Sequence, residues 1–206
     1  MVEKYFFGFN IENPFRSDIL NIRSDLIEKG IVRQKKRYFP HVTIYPQGFN
    51  DEKTLIKIFK SLSFSEFELS FTKIYMKQFS KKILYLEVKI TPQIQKIHNI
   101  FLDKFASLRN NALAQTILQE KSDMSDKNIA LIEKYGYPYC RDQYRPHITL
   151  GTFNDLNKLK IATKAFSNIE IPEFLLIKEI ILFKYNEKND LWEELDKIKL
   201  SAPNEI

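Results

Sequence analysis

Pro40-His41-Val42-Thr43-Ile44 and Pro146-His147-Ile148-Thr149-Leu150 are two versions of one phrase within a single chain. Each is an apolar, β-branched run and reads as a strand. Alternate residues of a strand share a face, so His41 aligns with Thr43 and His147 with Thr149. The chain has only three histidines, and two of them occupy these copies. A duplicated imidazole and hydroxyl on two strands predicts a symmetric site that moves protons and grips an anion.

The repetition continues downstream, which separates an internal repeat from coincidence. Phe49-Asn50-Asp51 follows the first copy and Phe153-Asn154-Asp155 the second. Each is expected to open a helix, with Asn as N-cap and Asp in the first turn. The apolar stripes are Leu55, Ile58, Phe59 and Leu62 in one, and Leu156, Leu159, Ala162 and Phe166 in the other. A β-rich stretch then follows each, Phe64 to Tyr75 and Ile169 to Phe183. The pattern strand, helix, strand thus occurs twice, too few copies for a solenoid. It predicts an α+β fold of two lobes related by a pseudo-twofold axis.

Outside the repeat, Tyr5 to Ile11 reads as a strand, and about Asp18 to Lys29 as a helix ended by Gly30. A hairpin-like pair spans Phe67 to Met76 and Ile83 to Ile90, turned around Ser80-Lys81-Lys82. Thr91-Pro92 opens a long helix to about Leu108, with Ile94, Ile97, Phe101, Phe105 and Leu108 as its buried stripe. Residues 110–144 interrupt the repeat as an insertion, with a short helix around Asn128 to Lys134 and a tyrosine-rich loop. No low-complexity linker divides the chain, so residues 1–206 read as one two-lobed domain.

Composition bounds the class. With 206 residues, 44% hydrophobic and 14% aromatic, the chain can build a packed interior, which excludes wholesale disorder. The net charge of +6 makes its surface mildly attractive to polyanions. One cysteine, Cys140, excludes an internal disulfide and fits a reducing, cytoplasmic setting. No apolar run approaches membrane-spanning length and no secretory h-region opens the chain. No membrane association or obligate protein partner is expected.

Cleavage or formation of a phosphodiester needs no metal if two imidazoles flank the phosphorus. One neutral histidine takes a proton from the attacking oxygen, and a protonated one gives a proton to the leaving oxygen. Hydroxyls beside them, here Thr43 and Thr149, can donate to the non-bridging oxygens and stabilise the transition state. A metal site would need a third and fourth ligand, and the only other histidine is His98 and the only cysteine Cys140. His98 sits beside the stripe of the long helix and reads as structural, and Cys140 as a loop residue. No cofactor or metal is expected.

These residues carry a resemblance to the two-histidine phosphoesterase superfamily, which includes 2′-5′ RNA ligase-like proteins and cyclic nucleotide phosphodiesterases. Its signature, two copies of His-hydrophobic-Thr/Ser-hydrophobic, is matched by His41-Val42-Thr43-Ile44 and His147-Ile148-Thr149-Leu150. Arg145-Pro146 also resembles the family's lead-in to the second copy. The resemblance implies two lobes, each a largely antiparallel sheet with flanking helices, facing a central cleft with both motifs on its floor. It implies catalysis by His41, Thr43, His147 and Thr149.

Other residues are candidates for substrate contact. Arg33, Lys35, Lys36 and Arg37 precede the first motif; Lys36 and Arg37 stand nearest it and either bind phosphate or form a solvated loop. Tyr45 and Phe153 share the cleft face if alternation persists past each threonine, and they either stack on a base or pack in the core. Tyr144 and Arg145 end a loop that mixes tyrosines with cations, which either covers a nucleotide or packs on the second lobe. The expected activity is a metal-independent phosphodiesterase on nucleotide or RNA phosphodiesters, opening a 2′,3′-cyclic phosphate or cutting 2′-5′ linkages. Hydrolysis of cyclic signalling oligonucleotides and 2′-5′ RNA ligation fit the same residues. A non-catalytic nucleotide- or RNA-binding module is the rival from another class. The expected partner is a nucleotide, a cyclic nucleotide or a short RNA.

Overall fold

Aromatic residues at alternate positions make the first strand two-faced. β1 (Lys4–Asn10) turns Tyr5, Phe7 and Phe9 into the main core and Phe6 to the opposite side. The Phe7 ring lies 4.5 Å from that of Phe105 and 4.7 Å from that of Phe101. Burying one such ring is worth roughly 1.5–3 kcal/mol. The computed structural model describes residues 3–32, 39–78, 82–120, 124–153 and 155–202.

The remaining strands are β2 (His41–Gly48), β3 (Phe67–Gln78), β4 (Lys82–Val88), β5 (His147–Phe153), β6 (Phe174–Ile177), β7 (Glu179–Asn186) and β8 (Leu191–Lys199). They form one curled sheet in the spatial order β6-β3-β4-β5-β2-β1-β7-β8, with every neighbouring pair antiparallel. The two motif strands, β2 and β5, are central neighbours. The halves on either side are interleaved in sequence: β3 and β4 follow motif one but flank motif two, while β7 and β8 flank motif one. Each lobe therefore needs strands from both copies of the repeat.

Helices α1 (Phe15–Glu28), α2 (Glu52–Lys60), α3 (Pro92–Phe105), α4 (Ala112–Glu120), α5 (Asp126–Tyr135) and α6 (Leu156–Phe166) connect the strands. α3 starts as its sequence predicts, with Thr91 Oγ1 accepting from the Ile94 amide and proline in the first turn. It buries Ile94, Ile97, Phe101 and Phe105 against the sheet. Leu55 and Phe59 of α2, and Leu159, Ala162 and Phe166 of α6, join the same core. The caps of α2 and α6 fall one residue later than expected. Asp51 accepts from the Thr54 amide and Asp155 from the Asn157 amide, so an aspartate is the cap of each helix. Both residue types cap well, and local sequence does not choose between neighbours. No helix among the described residues is long and apolar enough to cross a membrane.

Candidate active site

Val42 and Ile148 are the paired residues of β2 and β5, and each is the second residue of its motif. The pseudo-twofold axis therefore passes between equivalent positions. Extending that register by one residue sets His41 level with Thr149 and Thr43 level with His147. Val42 and Ile148 are buried in the core, whereas His41, Thr43, His147 and Thr149 are half-buried on the other face. The histidines are then diagonal neighbours, for which Cβ separations run about 7–8 Å or less.

Each imidazole is held in the same way. His41 Nδ1 meets the Phe39 carbonyl at 3.0 Å, and His147 Nδ1 meets the Arg145 carbonyl at 2.8 Å. A carbonyl only accepts, so Nδ1 carries hydrogen in both rings and Nε2 is the nitrogen whose protonation can change. The residue two places before each histidine sets this tautomer. The repeated Tyr-x-Pro-His of residues 38–41 and 144–147 is the signal that would have extended the motif back to it.

The surroundings of the two rings differ. His41 lies against Phe6 at 4.6 Å and Phe39 at 4.8 Å between ring centroids. Phe6 leans across Gly8, where a β-carbon would meet the Val42 carbonyl oxygen at 2.8 Å and the Phe6 ring at 3.0 Å. Phe6, Phe39, Ile181, Phe183 and Trp192 form a small apolar cluster on this face. Burial there pushes the His41 pKa down to about 4, and the nearby His147 acts in the same direction. His147 instead lies 5.1 Å from the Tyr85 ring. Glu87 is its direct cross-strand partner, with its carboxylate accepting from Thr72 Oγ1. Sequence reasoning did not single out Phe6, Phe39, Tyr85 or Glu87, since cross-strand neighbours leave no local signal.

Two of the candidate stacking residues are elsewhere. The alternation that would place Tyr45 and Phe153 in the cleft breaks immediately after each threonine. On β2, Gly8 pairs Thr43 and Phe7 pairs Tyr45, which leaves Ile44 as a bulge. On β5, Tyr85 pairs Thr149 and Leu84 pairs Gly151, which leaves Leu150 as a bulge. One extra residue reverses the facing of everything after it. Tyr45 and Phe153 are consequently core residues, and the Tyr45 hydroxyl donates to the Tyr135 carbonyl.

Tyr144 is also buried, behind the sheet, with its hydroxyl donating to the Thr43 carbonyl at 2.9 Å. Arg145 has an exposed side chain next to the motif-two histidine. Lys36 and Arg37, with Arg33 and Lys35, lie outside the described residues. Cys140 is buried, and burial pushes its thiol up to about 12, which suits an inert core residue. Among the described residues, no three His, Cys, Asp or Glu side chains stand together as a metal site.

A curled antiparallel sheet with flanking helices is a LigT-like fold. Two structures of E. coli LigT align over 98% of this chain and 99% of theirs. The phosphate complex does so at 13% identity with a TM-score of 0.58, and the 3′-AMP complex at 16% with a TM-score of 0.56. A Thermus thermophilus protein aligns over 97% and 98% of the two chains, at 12% identity with a TM-score of 0.51. At such identities the likeness is one of fold. No curated protein matches in sequence. The 2′-5′ RNA ligase superfamily matches residues 29–189, most of the chain, and the protein belongs to that family.

Proposed function

We propose that this protein is a phosphodiesterase that hydrolyses 2′,3′-cyclic phosphates or 2′-5′ linkages of nucleotides and short RNA, with His41 as general base and His147 as general acid. The observation that carries this reading is the pair of imidazoles on one sheet face, each with Nδ1 held by a backbone carbonyl. Water attacks phosphorus and gives its proton to His41 Nε2, while the bond to one ribose oxygen breaks and that oxygen takes a proton from His147 Nε2. Thr43 and Thr149 donate to the non-bridging oxygens. The division of roles is supported by the environments. An apolar surround keeps His41 neutral, which leaves the acid's role to His147.

E. coli LigT crystallises with phosphate, with 3′-AMP, with ATP and with NADP+. Ligands of that class carry the phosphate that the paired imidazoles and hydroxyls would hold. The exposed Arg145 beside the second motif supports contact with a neighbouring phosphate, and Lys36 and Arg37, close to motif one in sequence, would serve an RNA backbone. With a 5′-hydroxyl in place of water, the same groups take its proton, form the 5′-O–P bond and protonate the departing 3′-oxygen of the cyclic phosphate, so 2′-5′ ligation is the second reading.

The deciding experiment incubates purified protein with EDTA against nucleoside 2′,3′-cyclic phosphates, 2′-5′ and 3′-5′ oligonucleotides and cyclic dinucleotides. Turnover of the first two classes with chelator present is expected. Strict dependence on added Mn²⁺ or Zn²⁺, or binding without turnover of any member, would overturn the proposal.

A further inference from the structure

Arg23, Gln47 and His98 are the buried polar or charged side chains among the described residues. Such groups are costly to bury and persist where their hydrogen bonds have a task. Two of the three reach the same place in the two motifs. His98, on α3, donates from Nδ1 to the carbonyl of Ile44 at 2.8 Å. Arg23, on α1, donates from its guanidinium to the carbonyl of Leu150. Ile44 and Leu150 are the bulge residues, so each motif has its bulge carbonyl held from behind by a buried side chain.

Motif one carries a second hold. Tyr144 stacks on His98, with ring centroids 3.8 Å apart and planes 4° from parallel, and its hydroxyl reaches the Thr43 carbonyl. His98 Nε2 in turn accepts from the Arg141 amide at 3.2 Å, which fixes its tautomer. Arg141 takes a φ of 56°, a region few non-glycine residues occupy. Its guanidinium is held there by the Tyr135 hydroxyl at 3.0 Å and by Asp103. The 110–144 insertion thus ends in a buttress behind motif one. Three residues past Tyr144 comes His147, whose ring is tethered to the carbonyl of Arg145 between them. Burial holds His98 neutral, its pKa down to about 4, as an acceptor at Nε2 requires.

We propose that Arg23, His98 and Tyr144 are positioning residues that pin the two motif bulges from behind and so set where Thr43 and Thr149 stand relative to the catalytic imidazoles. This rests on the phosphodiesterase reading above. A bulge re-aims side chains, and without a fixed carbonyl its geometry has slack. A misplacement of about 1 Å can cost on the order of 10²-fold in rate.

The test pairs Tyr144→Phe with Tyr45→Phe. Both remove one buried tyrosine hydroxyl bound to a backbone carbonyl, but only the first touches a motif residue. Turnover of a nucleoside 2′,3′-cyclic phosphate, melting temperature and a crystal structure are obtained for each, with Arg23→Met as a third variant and His41→Ala as reference. Tyr144→Phe and Arg23→Met are expected to lower kcat about 10-fold or more with KM within about two-fold. Tyr45→Phe is expected to lose comparable melting temperature at unchanged kcat. Equal kcat in all three folded variants, or kcat that merely follows melting temperature, overturns the proposal. If His41→Ala keeps full turnover, or the wild type has none, the phosphodiesterase reading fails instead. The clamp is then judged on the Tyr144→Phe structure, where a Thr43 hydroxyl still within about 0.5 Å of its place overturns it.

Discussion

The two motif strands are equivalent by sequence and by register, yet their flanks are not. Opposite His41, on β1, stands Asn10; opposite His147, on β4, stands Glu87. Opposite Thr43 stands Gly8, and opposite Thr149 stands Tyr85. One imidazole leans on Phe6 and Phe39, and the other has a carboxylate across the ladder. Symmetry supplies two equivalent imidazoles, and the flanking strands make their surroundings different. That is what an acid–base pair needs, because two like groups must hold opposite protonation states at one pH.

Removing either ring is the severest way to break the comparison. His41→Ala and His147→Ala should each lower kcat by about 10²–10⁴-fold, the usual cost of losing a positioned base or acid. Single-turnover rates on a nucleoside 2′,3′-cyclic phosphate measure it. A loss confined to one of the two would leave that one histidine to act alone.

The threonines come next. Thr43→Ala and Thr149→Ala should each cost about 10-fold in kcat, less than the roughly 10²–10³ seen for a full oxyanion donor, because the neighbouring groups still hold the phosphate. KM should change little if the hydroxyls act mainly in the transition state.

Acidity separates the rings. His41 must be neutral to act as base, so kcat/KM should stay level as pH falls and drop only near pH 4, through the depressed pKa of His41. Phe39→Ser opens the apolar cluster to water, relieves the desolvation and should carry this acid limb up toward the ordinary histidine value near 6.5. Ring-carbon shifts of His41 in an NMR titration report the same movement without turnover. An acid limb unmoved by Phe39→Ser would show that burial is not what holds the ring neutral.

The smallest effect sharpens the comparison most. Glu87→Asn gives motif two the kind of flank that motif one has in Asn10. If His147 is the acid, removing its cross-strand carboxylate should move the alkaline limb of the profile and leave the acid limb, set by His41, in place. A shifted acid limb with a fixed alkaline one would reverse the roles assigned to His41 and His147.

Not every feature of the site was equally legible. The His-x-Thr pattern states which side chains share a face, because the strand period of two is local, and His41, Thr43, His147 and Thr149 do share one. The same rule, carried two residues further, misplaces Tyr45 and Phe153. The bulges at Ile44 and Leu150 belong to the pairing with β1 and β4, and no residue within either motif announces them. Tyr144 sits in an aromatic and cationic loop whose composition fits a nucleotide cover equally well. Its burial behind β2 follows from α3 presenting His98 to it, a contact 46 residues back along the chain.

By itself, then, the sequence determined the elements with local causes: two equivalent strands, the histidine and threonine on one face of each, and the capped and striped α3. These depend on side-chain period and end signals within a few residues, which the chain states directly. Tertiary structure alone decided which strands flank which motif, where alternation breaks, and that His41 lies in an aromatic cluster while His147 faces Glu87. Those outcomes are set by register between strands far apart in sequence, where the energy is shared across the whole core and no short segment encodes it.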